Sequence, residues 1–341
     1  MVNSVNTKKR VIIHVGLPKA GSTYLQNEVF PNIPGVHYIG TMPGNPIWDY
    51  CDELIRGNPV RIDLAARKLV IENALNEVQE DVVLISREGF SGIFYNSMYG
   101  NRMIADMLKS AFPNAKIFMV LRRQDTFLES AYKQALQQGH SISINRFLGI
   151  SHGKFIKPSG NQDPSPVVNP VDFDWLSMVR HYQGLFGKDN VIALPFEMLI
   201  ENREMFIDRF LELSDLCNYR PSSHAPKKVN RGYSYTSCVI ARCLNRFLIR
   251  PWNSCGIIPE KPFYQYLYVR KDKHKIYELM WRITRLLQLR AFLQQGLDRV
   301  LYINRNLLSS DKREMIMALH YDSNTELSRL IEIDLGAWGY C

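Results

Sequence analysis

The sequence predicts an α/β fold: a parallel sheet flanked by helices, with a helical elaboration at its C-terminal end. Three observations predict it. Short apolar, β-branched runs recur between Val11 and Leu194. Segments of helical periodicity separate them, and Gly, Pro or charged residues bound each run. That alternation is the rhythm of βαβ units, whose strands are buried on both faces and so read as continuous apolar stretches.

Val11–Val15 is the first such run, closed by Gly16. Ser22–Phe30 reads as a helix stopped by Pro31, and Val36–Ile39 as a short strand. Arg61–Gln79 has helical spacing, with Ile62, Ala65, Leu69, Ala74 and Val78 expected on or near the buried face. Asp81–Ser86 is the next apolar strand. Arg102–Phe112 is helical and closed by Pro113. Ala115–Arg122 is a further strand, and Asp125–Gln138 a helix ended by Gly139. Phe155–Pro170, rich in Pro, Ser, Asn and Gly, reads as a surface loop. Val171–Phe186 is expected to be helical, Asn190–Leu194 a strand and Arg203–Leu213 a helix. Beyond Pro221 helices and loops rich in Arg and Tyr follow. The whole is expected to be one domain over 1–341, with an α/β core over 11–232 and a basic helical elaboration over 233–341.

The 341 residues are 46% hydrophobic and 22% charged, a globular balance that excludes a disordered chain. The formal net charge is +9, and it is unevenly placed. Between Pro221 and Arg313, 18 Lys and Arg stand against 5 Asp and Glu, so the remainder is slightly acidic. A basic C-terminal third suits an anionic partner such as a nucleotide phosphate, an acidic glycan, a membrane surface or a nucleic acid. The cysteines Cys51, Cys217, Cys238, Cys243, Cys255 and Cys341 form no CxxC pair, so neither a zinc site nor a disulfide framework is expected. The residues before Val11 are polar and basic, without the apolar core of a signal peptide, and no run of 18 apolar residues occurs. The expected location is the cytoplasm, with at most peripheral contact to a membrane.

The turn Gly16-Leu17-Pro18-Lys19-Ala20-Gly21-Ser22-Thr23 joins the first strand to the first helix. Such a turn cradles phosphate. Its N–H groups point inward, the helix N-terminus adds positive potential, and glycine allows close approach. Ser22 and Thr23 add hydroxyls. The spacing of Gly16 and Gly21 is that of a nucleotide-triphosphate loop, so the fold expected is P-loop-like. However, Ser22 stands where that loop has its lysine, and Lys19 sits inside the turn instead. The third apolar strand ends in Arg122-Arg123 rather than in a metal-binding carboxylate. Both features lower the case for a kinase or NTPase.

Pro18-Lys19-Ala20-Gly21-Ser22-Thr23 resembles the 5′-phosphosulfate loop of sulfotransferases that use 3′-phosphoadenosine 5′-phosphosulfate (PAPS). The resemblance extends to Arg122 and to Ser130, eight residues later. In that family an Arg and a Ser at this separation hold the donor's 3′-phosphate, and Tyr132 matches a common aromatic. A Pro usually follows two positions after the Arg. Here Gln124 replaces it, which leaves open whether Arg122 or Arg123 faces the phosphate. The basic loop Lys227–Gly232 is loosely similar to the family's late basic loop, which assigns Lys228 and Arg231 to the 3′-phosphate and adenine. The ending Asn324–Tyr340 is similar to the tail of bacterial glycan and lipid-glycan sulfotransferases.

The resemblance implies sulfuryl transfer from PAPS to a hydroxyl of a carbohydrate or glycolipid, with no metal required. Charge stabilisation and positioning dominate such a reaction. Lys19 is suited to neutralise the leaving oxygen. Glu88, just past the end of the strand Asp81–Ser86, is the first choice of base; strand C-termini line the ligand crevice of open α/β sheets. An ordinary ion pair of Glu88 with Arg87 or Arg122 is the plainer alternative. His37 is the second candidate base, and His14, inside the first strand, reads as a satisfied core residue.

Two other classes stay in view. One is an atypical P-loop kinase or NTPase requiring Mg²⁺. The other is a non-enzymatic binder of anionic surfaces, membrane or nucleic acid, using Arg242, Arg246 and Arg250 at helical spacing with Trp252, Tyr264, Tyr266 and Tyr268. A sulfotransferase is expected to need no nucleic acid, and could use the same aromatic and basic residues to hold an anionic or lipid-linked glycan.

Overall fold

The computed structural model describes residues 9–40, 42–156, 167–216, 232–249, 253, 258–259, 303 and 305–341. Five strands build the central sheet: β1 (Arg10–Val15), β2 (Val36–Ile39), β3 (Val82–Arg87), β4 (Lys116–Leu121) and β5 (Val191–Pro195). Their order is β2-β3-β1-β4-β5, and every neighbouring pair is parallel. The protein is therefore an α/β fold, a P-loop-like parallel sheet flanked by helices, with helices Tyr235–Leu244 and Ser310–Leu330 in the C-terminal elaboration. Val11 to Val15, Val82 to Ser86 and Ile117 to Leu121 are all buried, as continuous apolar strands covered on both faces should be.

The strand order fixes where a ligand can enter. β1 and β4 are neighbours, but the chain leaves β1 toward β2 at one edge and leaves β4 toward β5 at the other. Connections that part in this way open a crevice at the carboxyl ends of the two strands. Gly16 follows β1 there, and Arg122 follows β4.

The helices show where sequence patterning needed correction. Leu64–Glu77 is helical, but Leu69 is 60% exposed and Ala65 is also exposed. The buried residue is Ile71, so the inward stripe runs through Arg67, Ile71, Ala74 and Leu75 instead. The helix Pro46–Arg56 has no counterpart among the sequence expectations. The Asn45 side chain accepts from Ile47 N–H and Trp48 N–H, Pro46 opens the first turn, and Ile47, Tyr50, Cys51 and Leu54 are buried. After the first turn of helix at Ser22–Tyr24, the backbone widens into a π-helix over Leu25–Val29 before Pro31. The helix expected over Val171–Phe186 begins at Trp175, because Asp174 caps it by accepting from Leu176 N–H.

Two compact units interleave along the chain: 1–124, 171–229 and 317–341 form the first, and 125–170 with 230–316 the second. The sheet and its crevice belong to the first. In the second, buried Asp125 and Glu129 both pair with Arg313, so this arginine of the basic third is committed within the protein. Burial of the two carboxylates is tolerable because the guanidinium fork meets both.

Candidate functional site

The turn after β1 is held open by its own geometry. Gly21 has φ 84°, and a Cβ there would lie 2.7 Å from Leu199 Cδ2. Gly16 is needed for a different reason. Its Cβ would lie 3.1 Å from Glu88 Cα and 3.3 Å from the Arg87 carbonyl oxygen, so a larger residue would press the ends of β1 and β3 apart by a few tenths of an ångström. Lys19 takes φ 64°, a left-handed conformation that costs a side-chain-bearing residue about 1–2 kcal/mol. In this shape the N–H groups of Lys19, Gly21, Ser22 and Thr23 make no hydrogen bond among the described residues. Ala20 N–H is spent on the Leu17 carbonyl, and Pro18 has none to offer. The Ser22 hydroxyl also differs from expectation. It is buried and donates to the Leu17 carbonyl at 3.0 Å, so its hydrogen fastens the turn. The Thr23 hydroxyl keeps no protein partner among the described residues.

Three charged side chains meet this turn from three strand ends. Arg122 Nη1 donates to the Lys19 carbonyl at 2.6 Å, and the guanidinium lies over the Phe196 ring at 4.8 Å. Trp175 Nε1 donates to the Arg122 carbonyl at 2.8 Å, fixing the backbone beneath it. Burial lowers the Lys19 pKa; Glu88 raises it and Arg122 lowers it further. Burial likewise raises the Glu88 pKa, against the opposing pull of Lys19. Lys19 and Glu88 thus feel each other's charge without forming an ion pair.

The remaining candidates fall elsewhere. Arg87 is not a partner of Glu88: it pairs with Asp52 at 2.5 Å and lies over the Trp48 ring. Arg123 turns away from the loop, donating from Nη1 to the Trp338 carbonyl at 3.0 Å, so Arg122 is the arginine that meets the turn. His37 sits in the edge strand β2, in register with Val83 near the start of β3, and pairs with Glu80 at 3.3 Å. The structure does not bring it to the turn. His14 is buried in the core between Phe30 and Phe118. Burial drops its pKa to about 3, so the ring is neutral. Its Nδ1 lies 2.7 Å from Ser86 Oγ, while Nε2 has no hydrogen-bond partner among the described residues. Ser130 and Tyr132 lie in the helix Gln124–Gln137, within the second unit. Lys228, Arg231, Arg250, Trp252, Tyr264, Tyr266 and Tyr268 lie outside the described residues.

Gln124, the departure from the family pattern, has a defined structural use. Its fully buried amide exchanges two hydrogen bonds with Asn324, at 2.9 and 3.1 Å, and Asn324 also donates to the Tyr340 carbonyl. The Tyr340 hydroxyl donates to Glu197, whose other oxygen accepts from Arg123 N–H. Gly339, at φ 72°, leaves room for the Arg123 guanidinium. The tail therefore fastens the segment that follows β4. Asn324→Ala should destabilise the protein by about 1–3 kcal/mol, because it strands a buried amide. Replacing both Gln124 and Asn324 by Leu should recover part of that loss. Urea unfolding of Asn324→Ala, Gln124→Leu, Asn324→Leu and the double Leu variant checks it; Leu single costs that add up to the double cost would deny the pairing.

Sequence reasoning missed Phe196, Trp175 and the Asn324–Tyr340 clasp as parts of the site. Only the last left a signal, in Gln124 and in the ending Asn324–Tyr340. Taken together, free N–H groups, a lysine and an arginine can hold an anionic diester or phosphate, and a carboxylate stands beside them to accept a proton. Among the described residues no cluster of His, Cys, Asp or Glu is arranged to hold a metal ion. No described helix is long and apolar enough to cross a membrane.

Comparison with known proteins adds little to this geometry. No family model matches the chain, and no curated protein matches it. Among solved structures the chain is similar to a sulfotransferase from Alicyclobacillus acidocaldarius, with a TM-score of 0.42 and 15% identity over 65% of this chain and 87% of that one.

Proposed function

We propose that the protein is a sulfotransferase that uses PAPS to sulfate a hydroxyl of a carbohydrate or glycolipid, acting in the cytoplasm or against a membrane surface. One observation carries the reading: Lys19, Glu88 and Arg122 converge on a glycine turn in which the N–H groups of Lys19, Gly21, Ser22 and Thr23 make no hydrogen bond among the described residues, with lysine inside the turn and arginine where a metal carboxylate would be needed for a kinase. The turn and Lys19 would hold the donor's 5′-phosphosulfate. Arg122 would hold its 3′-phosphate; for Ser130, Lys228 and Arg231 the proposal rests on the sequence resemblance alone. When bound, the donor supplies an activated sulfuryl group. Glu88 takes the proton from the acceptor hydroxyl onto a carboxylate oxygen, and the Lys19 ammonium offsets the negative charge that grows on the departing phosphate oxygen. The burial that raises the Glu88 pKa makes it a stronger base than an exposed carboxylate.

The test is calorimetric binding of 3′-phosphoadenosine 5′-phosphate without metal. Wild type should bind, and Arg122→Ala should cost about 2–4 kcal/mol, tens- to several-hundred-fold in affinity. If wild type fails to bind while ATP with Mg²⁺ binds well, the protein is a kinase-like enzyme instead.

A further inference from the structure

A second concavity opens beside the crevice, and its chemistry is unlike that of the basic chain around it. It encloses about 840 Å³, within the range that holds one small ligand. It is formed by the segment 97–107 and the segment 171–181, both in the first unit. Topology places it. The helix Asn101–Ala111 precedes β4 and the helix Trp175–Phe186 precedes β5. A helix that leads into a parallel strand runs back along the sheet, so both helices begin at the carboxyl ends of the strands. That is the end where the turn, Glu88 and Arg122 lie.

Backbone contacts tie the groove to those residues. Trp175, in its wall, donates to the Arg122 carbonyl, and Asn101 donates to the carbonyl of Phe90, two residues beyond Glu88. The lining is apolar and adaptable: Met98, Met103, Met107 and Met178 contribute thioethers, and Tyr99 is 64% exposed at its rim. A bridge from Ile93 N–H to the Tyr99 carbonyl at 2.8 Å fixes the backbone that carries this ring. The charged members are Asp106, Asp172 and Asp174, against the single guanidinium of Arg102; His181 Nε2 lies 3.6 Å from Asp106, beyond hydrogen-bond distance. In a chain of net charge +9 this rim is locally negative.

We infer that this groove is the acceptor subsite, and that it takes a hydroxyl-bearing amphiphile with an apolar body and no anionic group. The methionines and Tyr99 cover the apolar body. The carboxylate rim turns away carboxylates and sulfates, which the basic character of the chain as a whole would otherwise attract. The inference rests on the sulfotransferase reading for its chemistry, but not for its binding test.

Calorimetry with octyl β-D-glucoside, kept below its micelle-forming concentration, provides that test. Methyl β-D-glucoside and octyl β-D-glucuronide are the matched probes. The octyl glucoside should bind at least about tenfold more tightly than either, since each buried methylene multiplies affinity by about three to four and a carboxylate would face like charge. Met103→Glu, a change at a partly exposed helix position, should weaken octyl glucoside binding by about tenfold. Asp172→Lys should narrow the gap between glucoside and glucuronide. Equal binding of the methyl and octyl glucosides, preference for the glucuronide, or indifference to Met103→Glu would each overturn the assignment. Binding of 3′-phosphoadenosine 5′-phosphate is measured on the same samples. Nucleotide binding without octyl glucoside binding defeats the groove alone, and the reverse defeats the sulfotransferase reading while the groove stands.

Discussion

In Glu88→Gln, sulfuryl transfer should fall by about 10²- to 10⁴-fold, the usual contribution of a positioned general base. Nucleotide affinity should hold or rise slightly, because Gln removes a negative charge that acts on Lys19. The same substitution should stabilise the protein near neutral pH. Burial raises the folded-state pKa of Glu88 above its unfolded value. Below the unfolded value the carboxyl is protonated in both states, and wild type matches the Gln variant. As pH rises from there toward the folded value, the unfolded chain ionises first and wild type loses stability relative to the variant. Thermal unfolding of both proteins from acid to neutral pH should therefore show a gap in Tm that opens with pH. The transfer rate of wild type should fall as pH drops through the raised value, while that of the variant stays flat. A variant that keeps full activity would assign the proton to another group.

Lys19→Ala is expected to lower the rate constant for transfer by about 10²- to 10³-fold, the range for removing one donor aimed at developing charge. Its effect on the affinity for spent nucleotide should be smaller, since the free N–H groups of the turn remain. Single-turnover rates, measured beside calorimetric affinities, separate the two. Equal losses in rate and affinity would make Lys19 a plain phosphate ligand. There is also a conformational component. Ala at φ 64° bears the same backbone cost as Lys, so Lys19→Gly should relieve strain while still losing the ammonium. If the Gly variant is as slow as the Ala variant, charge rather than backbone shape sets the rate.

The sheet was legible because buried parallel strands need little except apolar runs with clear ends. Val11–Val15, Val36–Ile39 and Ala115–Arg122 each fall within a residue of the observed strand. The turn was legible for the same reason in reverse: the β3 backbone crowds Gly16, and Gly21 takes a left-handed φ against Leu199. Helix faces were harder. Leu64–Glu77 carries apolar residues on several sides and buries one of them fully, so spacing alone pointed to Leu69 where packing selects Ile71. Pro46–Arg56 had a readable Asn-Pro start and an inward row at Ile47, Tyr50, Cys51 and Leu54, hidden among acidic neighbours. At the site, the residues that follow strands could be named from the chain. The groups that hold them, Phe196 under Arg122 and Trp175 beneath its carbonyl, come from remote segments and follow only from tertiary packing.

The clasp between Gln124 and Asn324 should also set the order in which the protein matures. These residues are separated by 200 positions, and Arg123 meets Trp338 across 215. A nascent chain that has already formed the sheet still lacks the partner of the Gln124 amide oxygen until Asn324 emerges and docks. Loop closure over such distances is slow, and a protein folding during synthesis completes its late pairings last. Arg122 and the turn it meets should thus be secured only after residues 324–340 have been made. Refolding followed by intrinsic fluorescence and by nucleotide binding should show the sheet forming before binding competence appears.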